Sequence, residues 1–365
     1  VYSCLLSRYA AVDICRQRFL AWTSRQAFHP LPEIAVTSAT SAPSAAPSAA
    51  LPPRSLAARL GITSVPRAEL RRRYTQHGSK FVTIMGADVH YVDEGHGDAI
   101  VMIHGFASSL HTWNRVADEL GQTHRVIRLD LPPFGVTGPL RSASGAIETM
   151  NLPTYRRFID TFMQALGIGR ATFIGNSLGG LIAWDYAARH RKAVERLVLI
   201  DSAGFPMKLP IYIGLFNSAL VRASSPWWLP EAIIKSAVRN VYGDPRKIDA
   251  ATLRRYVEFF HGEGTRAAIG KMVPTLDFSE VDTDMLKTLD VPALVLWGAR
   301  DRWIPTAHAA EFASRIPGAK SVMYAGLGHI PMEEAPERVM DDLRAFLGAP
   351  EAPVAVDIST RRAPA

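Results

Sequence analysis

The sequence predicts an α/β fold: a mostly parallel, eight-stranded sheet with helices on both faces and a helical lid inserted late in the chain. Three observations predict it. Two short alternating segments, 81–85 and 89–94, flank Gly86-Ala87-Asp88, which is a hairpin signal. Apolar runs then alternate with helical stretches, the signature of a parallel sheet covered on both sides. Residues 203–288 interrupt that alternation, with many apolar residues but no buried strand run.

Each element follows in order. AIVMIHG (99–105) is continuously apolar, as a strand buried on both faces must be. A helix is expected over 112–120 and a strand over 125–130 (RVIRLD). A second helix is expected over 154–166, with Thr154 placed to cap its first turn. ATFIGNS (171–177) is a strand that runs straight into a helix, 178–190. RLVLID (196–201), VPALVLWG (291–298) and KSVMYA (320–325) are the remaining strands, with helices over 305–315 and 336–347. The core is therefore 79–202 with 289–348, and 203–288 is the cap. Residues 59–78 are a basic lead-in and 349–365 a tail. A helical insert at the strand ends would lie over the place where α/β sheets bind ligands, hence the lid reading.

With 365 residues, 48% hydrophobic and 21% charged, the chain is too apolar to be disordered throughout and long enough for a sizeable core. No run of about 18 apolar residues exists, so no transmembrane helix is expected. The best candidate stretch, 1–22, contains Arg8, Asp13, Arg16 and Arg18. The net charge of +7 is unevenly placed. Residues 1–80 hold 11 basic and 3 acidic residues, and the rest hold 30 and 31. The body is near neutral, so no groove for a nucleic-acid backbone is indicated. Residues 35–58, rich in Ala, Pro and Ser, read as the linker that ends a basic leader, with 1–58 disordered. That leader has the composition of a transit peptide, and equally of upstream sequence foreign to the native protein; the chain begins with Val. A cytoplasmic location is the expectation if the leader is not a targeting segment. Both cysteines, Cys4 and Cys15, lie in the leader, and no Cys/His spacing of a metal site is present, so no metal is expected. Oligomeric state leaves no mark.

The chemistry-bearing residues fall at strand ends. Gly175-Asn176-Ser177-Leu178-Gly179-Gly180 sits between a strand and an Ala-rich helix, which is the context of a nucleophile elbow. Ser177 then occupies a strained turn between small residues. His104-Gly105-Phe106 ends the strand before the first helix of the alternating section. An oxyanion hole needs the N–H of the residue after the nucleophile, Leu178, and one from that earlier loop, which nominates Phe106. A serine hydroxyl needs a base, and the base an orienting carboxylate. Asp301 follows the strand 291–298 and His329 follows the last strand, in the order Ser, acid, His. Asp201 is the competing acid. Asp130 also ends a strand but precedes the elbow, and is read as holding loops together. His90, His96, His111 and His124 lack the placement.

Taken together, HGF at 104–106, DLPPFGVTG at 130–138, GNSLGG at 175–180, WGARDRWIP at 297–305 and GLGHIPMEEAPE at 326–337 make the chain resemble the α/β-hydrolase fold superfamily from about 79 to 348. The resemblance implies a Ser-His-Asp triad and no cofactor. One departure is Pro133, where many relatives have Gly. Ser177 separates the chain from the dehalogenase and epoxide-hydrolase branches, which use Asp as nucleophile. Relatives that hydrolyse C–C bonds of meta-cleavage products typically carry Trp after the catalytic His, where this chain has Ile330, and a different polar loop where it reads ASSLHTW. Cofactor-free haloperoxidases share the triad. The expectation is a carboxylic-ester hydrolase acting through an acyl-enzyme on apolar short- to medium-chain or aromatic esters, with C–C hydrolase and long-chain lipase as alternatives. Trp227, Trp228 and Ile330 are expected to contact substrate. Trp227-Trp228 is also an anchor for weak contact with a membrane surface.

Overall fold

The strands form because their sequences suit burial on one face or both. The computed structural model describes residues 53–348. The strands are β1 (Ser79–Ile84), β2 (Ala87–Glu94), β3 (Ala99–Ile103), β4 (Arg125–Leu129), β5 (Ala171–Asn176), β6 (Val194–Ile200), β7 (Ala293–Gly298) and β8 (Lys320–Tyr324). Among the described residues these eight make one sheet in the order β1-β2-β4-β3-β5-β6-β7-β8. β1 and β2 pair antiparallel, as do β2 and β4; all other neighbours are parallel. The central strands β5 and β7 are buried at every residue. That is why they read as unbroken apolar runs.

Two cores lie on the two faces of the sheet. Val101 and Ile103 face one with Phe173, Leu199 and Trp297; Ile100 and Met102 face the other with Ile174 and Leu296. Alternate residues of one strand thus feed opposite layers, as the two-residue period requires. The first layer is closed by the helices Leu152–Ala165 and Leu178–Arg189, the second by Asn114–Leu120 and Pro336–Leu347. The expected cap at Thr154 is corrected: Asn151 is the N-cap, and its Oδ1 accepts from the Thr154 backbone N–H at 2.9 Å and from Thr154 Oγ1 at 2.8 Å. Pro153 fits the first turn, where no N–H is needed, so the helix starts at Leu152.

Between β6 and β7 the chain leaves the sheet and forms the helices Ile211–Gly214, Ala219–Ser224, Glu231–Val241, Ala250–Phe260 and Thr265–Met272. In Glu231–Val241, Ile234, Val238 and Val241 are buried at helical spacing.

Residues 53–58, read from the sequence as the end of a linker, are instead tied to this insertion. Ser55 caps the helix Leu56–Arg59. Arg54 pairs with Glu231 at 3.2 Å and Glu258 at 3.6 Å. Further on, Arg73 reaches Glu258 at 2.7 Å, and Arg67 donates to the Gly135 carbonyl at 2.9 Å and the Glu263 carbonyl at 2.8 Å. The basic lead-in thus spends much of its charge on acids and carbonyls of the body. The leader with Cys4 and Cys15, the rest of the linker and the tail 349–365 lie outside the described residues.

Candidate active site

Local geometry at the β5 turn starts with what the glycines allow. A Cβ on Gly175 would sit 2.3 Å from the Gly179 carbonyl oxygen, and one on Gly179 would sit 2.1 Å from that of Ile103. Neither position admits a side chain, and the helix Leu178–Arg189 therefore packs tightly under β3. Ser177, at the joint, has φ 57° and ψ −119°, a conformation that a non-glycine residue adopts only under constraint. The constraint is visible: its N–H donates to the Ile200 carbonyl at 3.1 Å, and its own carbonyl accepts from Ala203 at 3.0 Å. Gly105 approaches closely enough that a Cβ there would lie 3.0 Å from the Ser177 Cβ.

Asp301 and His329 meet beside it. Asp301 Oδ1 accepts from the N–H groups of Trp303 (2.7 Å) and Ile304 (3.1 Å), and Oδ2 bonds His329 Nδ1 at 2.8 Å. The Trp303 ring stacks on the imidazole, 5.8 Å between centroids. His329 Nε2 is thus the free ring nitrogen of a base whose other nitrogen is fixed by a carboxylate. Asp201, Asp301 and His329 also bring one ligand atom each within 4.8 Å of one another. The bond to Asp301 engages His329 Nδ1 and leaves Nε2 as the nitrogen that faces other partners.

Ser177 and His329 line one cavity, together with Phe106 and Ile330 from the core. The insertion supplies much of the rest, including Ile213, Phe216, Leu229, Ile234 and Val238. Leu178 lines an adjoining pocket with Ser177, Met207 and Leu209. The sequence reading placed Trp227 and Trp228 against substrate; neither lines the cavity, and they are 75% and 53% exposed. They follow the helix Ala219–Ser224, where the Trp227 N–H closes a turn on the Ser224 carbonyl and turns the pair outward, leaving Leu229 to fill the cavity wall.

Two supporting residues, Asn176 and Glu334, escaped the sequence reading. Asn176 donates through Nδ2 to the carbonyls of Ile200 and His329, each at 3.0 Å, bridging the elbow to the histidine loop. Buried Glu334 accepts from the N–H groups of Gly328 (2.8 Å), Gly243 (2.9 Å) and Asp244 (2.9 Å). Asn176 lay inside the quoted elbow motif and Glu334 inside the histidine motif, but nothing in either motif says which distant loop it holds. Asp201, the competing acid of the sequence, is not the imidazole's partner: His329 Nδ1 bonds Asp301, and Asp201 Oδ1 accepts from Gly298 at 2.9 Å.

Asp130 lies off the site. It accepts from His90 Nδ1 (2.8 Å), Leu110 (2.7 Å) and Val136 (2.8 Å), joining the loops after β3 and β4. Burial pushes its carboxyl up, but His90 and the neighbouring imidazoles outweigh that and hold it low, at about 2. His111, whose Nε2 bonds the Tyr74 carbonyl at 2.9 Å, is driven down to about 3 by burial.

Comparison with known proteins comes to the same region. A family model described as alpha/beta hydrolase fold matches residues 98–240. Lipase 1 of Psychrobacter immobilis is 28% identical over 75% of this chain and 85% of its own length. The 2-hydroxy-6-oxo-6-(2'-aminophenyl)hexa-2,4-dienoic acid hydrolase of Metapseudomonas resinovorans is 27% identical over 73% of this chain and 90% of its own. Among solved structures, a bacterial membrane phospholipase A superposes with a TM-score of 0.62 at 27% identity, covering 74% of this chain and 85% of that one.

Proposed function

The chain is a hydrolase of the α/β-hydrolase fold, and from that premise we propose that it cleaves apolar carboxylic esters through a serine acyl-enzyme. The observation that carries the reading is Ser177 held at φ 57° in the same cavity as an imidazole oriented by Asp301. His329 Nε2 takes the Ser177 proton as Oγ attacks the ester carbonyl carbon. The oxyanion that forms is met by the N–H groups of Phe106 and Leu178. When the C–O bond breaks, His329 returns the proton to the departing alcohol. Water then enters, loses a proton to His329, and releases the acid and free Ser177. Asp301 holds the imidazole tautomer and stabilises its charged form. The insertion, as a lid, excludes bulk water from this sequence.

Apolar esters are favoured over the C–C hydrolase alternative by the cavity lining, which among the described residues includes no Lys or Arg. A dienoate substrate brings a carboxylate into the site, and that charge needs a partner when buried. A second reading, action on longer-chain esters at a lipid surface, is favoured by the exposure of Trp227 and Trp228 together with Ile211, Leu215 and Leu220. The stretch from Ser202 to Pro230 that carries them holds Lys208 and Arg222 and no acid.

The test is hydrolysis of a p-nitrophenyl ester series, acetate to palmitate, by wild type and Ser177→Ala. The expected result is a loss of roughly 10⁴-fold or more in kcat, and a single acyl adduct on Ser177 by mass spectrometry. Hydrolysis that survives Ser177→Ala overturns the assignment. A dienol ketone consumed faster than every ester moves the C–C reading ahead.

A further inference from the structure

Asp201 is a carboxyl that the reaction above does not use, in a place where no ordinary solvation reaches it. It follows β6 directly, is fully buried, and is held at φ 44°. Its N–H donates to the Leu296 carbonyl of β7 at 3.0 Å, and Oδ1 accepts from Gly298 at 2.9 Å. Among the described residues, Oδ2 meets no N–H or O–H donor. Asp301 and His329 are its neighbours, one ligand atom of each of the three lying within 4.8 Å of the others.

Two carboxylates this close in a buried site disfavour each other's ionisation, and one of them holds a proton. The proton goes to the one with fewer donors. Asp301 receives two backbone N–H groups and the imidazole. Asp201 receives one backbone N–H. The other charged or titratable groups near Asp201 act in the same direction or are neutral: Glu334 on the short helix Pro331–Glu334 adds negative charge, and Tyr324 at the end of β8 is kept un-ionised by burial. Burial and the Asp301 charge accordingly drive the Asp201 carboxyl well above the usual carboxylate range.

We propose that Asp201 is a positioning residue of the relay, a neutral carboxylic acid whose Oδ2–H donates to Asp301 and fixes that carboxylate against His329. The bond does two things. It satisfies the side of Asp301 that the imidazole and the two N–H groups leave open. It also draws electron density from the carboxylate and so tempers the basicity it imparts to His329. This rests on the serine-ester reading of the site.

Asp201→Asn and Asp201→Gly separate the alternatives. Asparagine keeps both bonds, with Oδ1 accepting from Gly298 and Nδ2 donating to Asp301, and it tolerates the left-handed backbone. Glycine tolerates the backbone and removes the donor. kcat/KM for a soluble short-chain p-nitrophenyl ester is measured from pH 5 to 9, with melting temperatures to confirm folding. Asp201→Gly is expected to lower kcat by about tenfold and to move the acid limb of the profile up by about half a unit or more. Asp201→Asn is expected to recover the rate to within about threefold of wild type and to restore the limb. A limb that moves down by about one unit in Asp201→Asn would mean that an ionised carboxylate had been removed, and overturns the proposal. A folded Asp201→Gly enzyme with an unmoved limb overturns it too, leaving a purely structural residue. If Asp201→Gly does not fold, the Asn limb alone decides. Ser177→Ala run alongside tells the two levels apart: activity surviving there removes the serine reading itself, whereas activity lost there with unresponsive Asp201 variants removes the Asp201 role alone.

Discussion

At the scale of single residues, the site is built on positions that stability alone would not choose. Ser177 at φ 57° costs about 1–3 kcal/mol relative to a relaxed residue. Ser177→Gly should therefore raise the unfolding free energy by about 1 kcal/mol while abolishing ester hydrolysis, which chemical denaturation and a turnover assay would show together. Gly179→Ala should do the opposite: with a Cβ 2.1 Å from the Ile103 carbonyl, the helix must shift, at a cost of about 3 kcal/mol or more. That Ser177 and His329 would share a cavity and Asp301 would bond the imidazole was legible from the sequence, because each stands right after a strand within a dense motif. Asn176, Glu334 and the nearness of Asp201 to Asp301 were not. Their partners lie about 90 to 150 residues away, and only the strand order β5-β6-β7-β8 brings them together.

At the scale of elements, the helix Glu231–Val241 joins binding wall to chemistry. Its Ile234 and Val238 line the cavity, while its last carbonyl, on Val241, accepts the His329 N–H at 2.7 Å. Glu334 then clamps the turn after it. Glu334→Ala leaves three N–H groups unpaired, those of Gly328 and Gly243 buried, and should cost about 3 kcal/mol of stability, with kcat falling more than KM rises. The aromatic pair in the preceding turn was misread because an apolar pair beside a helix carries no sign of which way the turn will face. Its exposure yields its own prediction. Trp227→Ala/Trp228→Ala should leave the melting temperature and soluble-ester turnover unchanged, and lower activity on anionic vesicles or emulsified ester by about tenfold. Equal loss on both substrates would place the pair in the cavity's service after all.

At the scale of the whole molecule, the sheet and its two layers were largely readable, since buried parallel strands advertise themselves as apolar runs. The N-terminal strap was not. Arg54, Arg67 and Arg73 look like solvated charge in a one-dimensional pattern, and only the folded chain shows Glu231, Glu258 and the Glu263 carbonyl waiting for them. A chain beginning at 76 should therefore melt several degrees below one beginning at 53. Acid should act through Asp130. Its carboxyl is held at about 2 in the folded protein, below the unfolded value of about 3.8. The stability it contributes, about 2 kcal/mol, is present above pH 4 and is lost as pH falls from about 4 to 2. Asp130→Asn should flatten that part of a pH–denaturation profile.

The division of labour between sheet and insertion has a further consequence. The proposed triad and oxyanion residues stand after four strands, β3, β5, β7 and β8, but much of the cavity wall comes from one uninterrupted stretch of chain between Tyr212 and Phe260. Exchanging that single cassette should therefore change what the cavity accepts while leaving the strand-end residues in place. The seam at Val241–Asp244, where that cassette grips the histidine loop, is the part such an exchange must preserve.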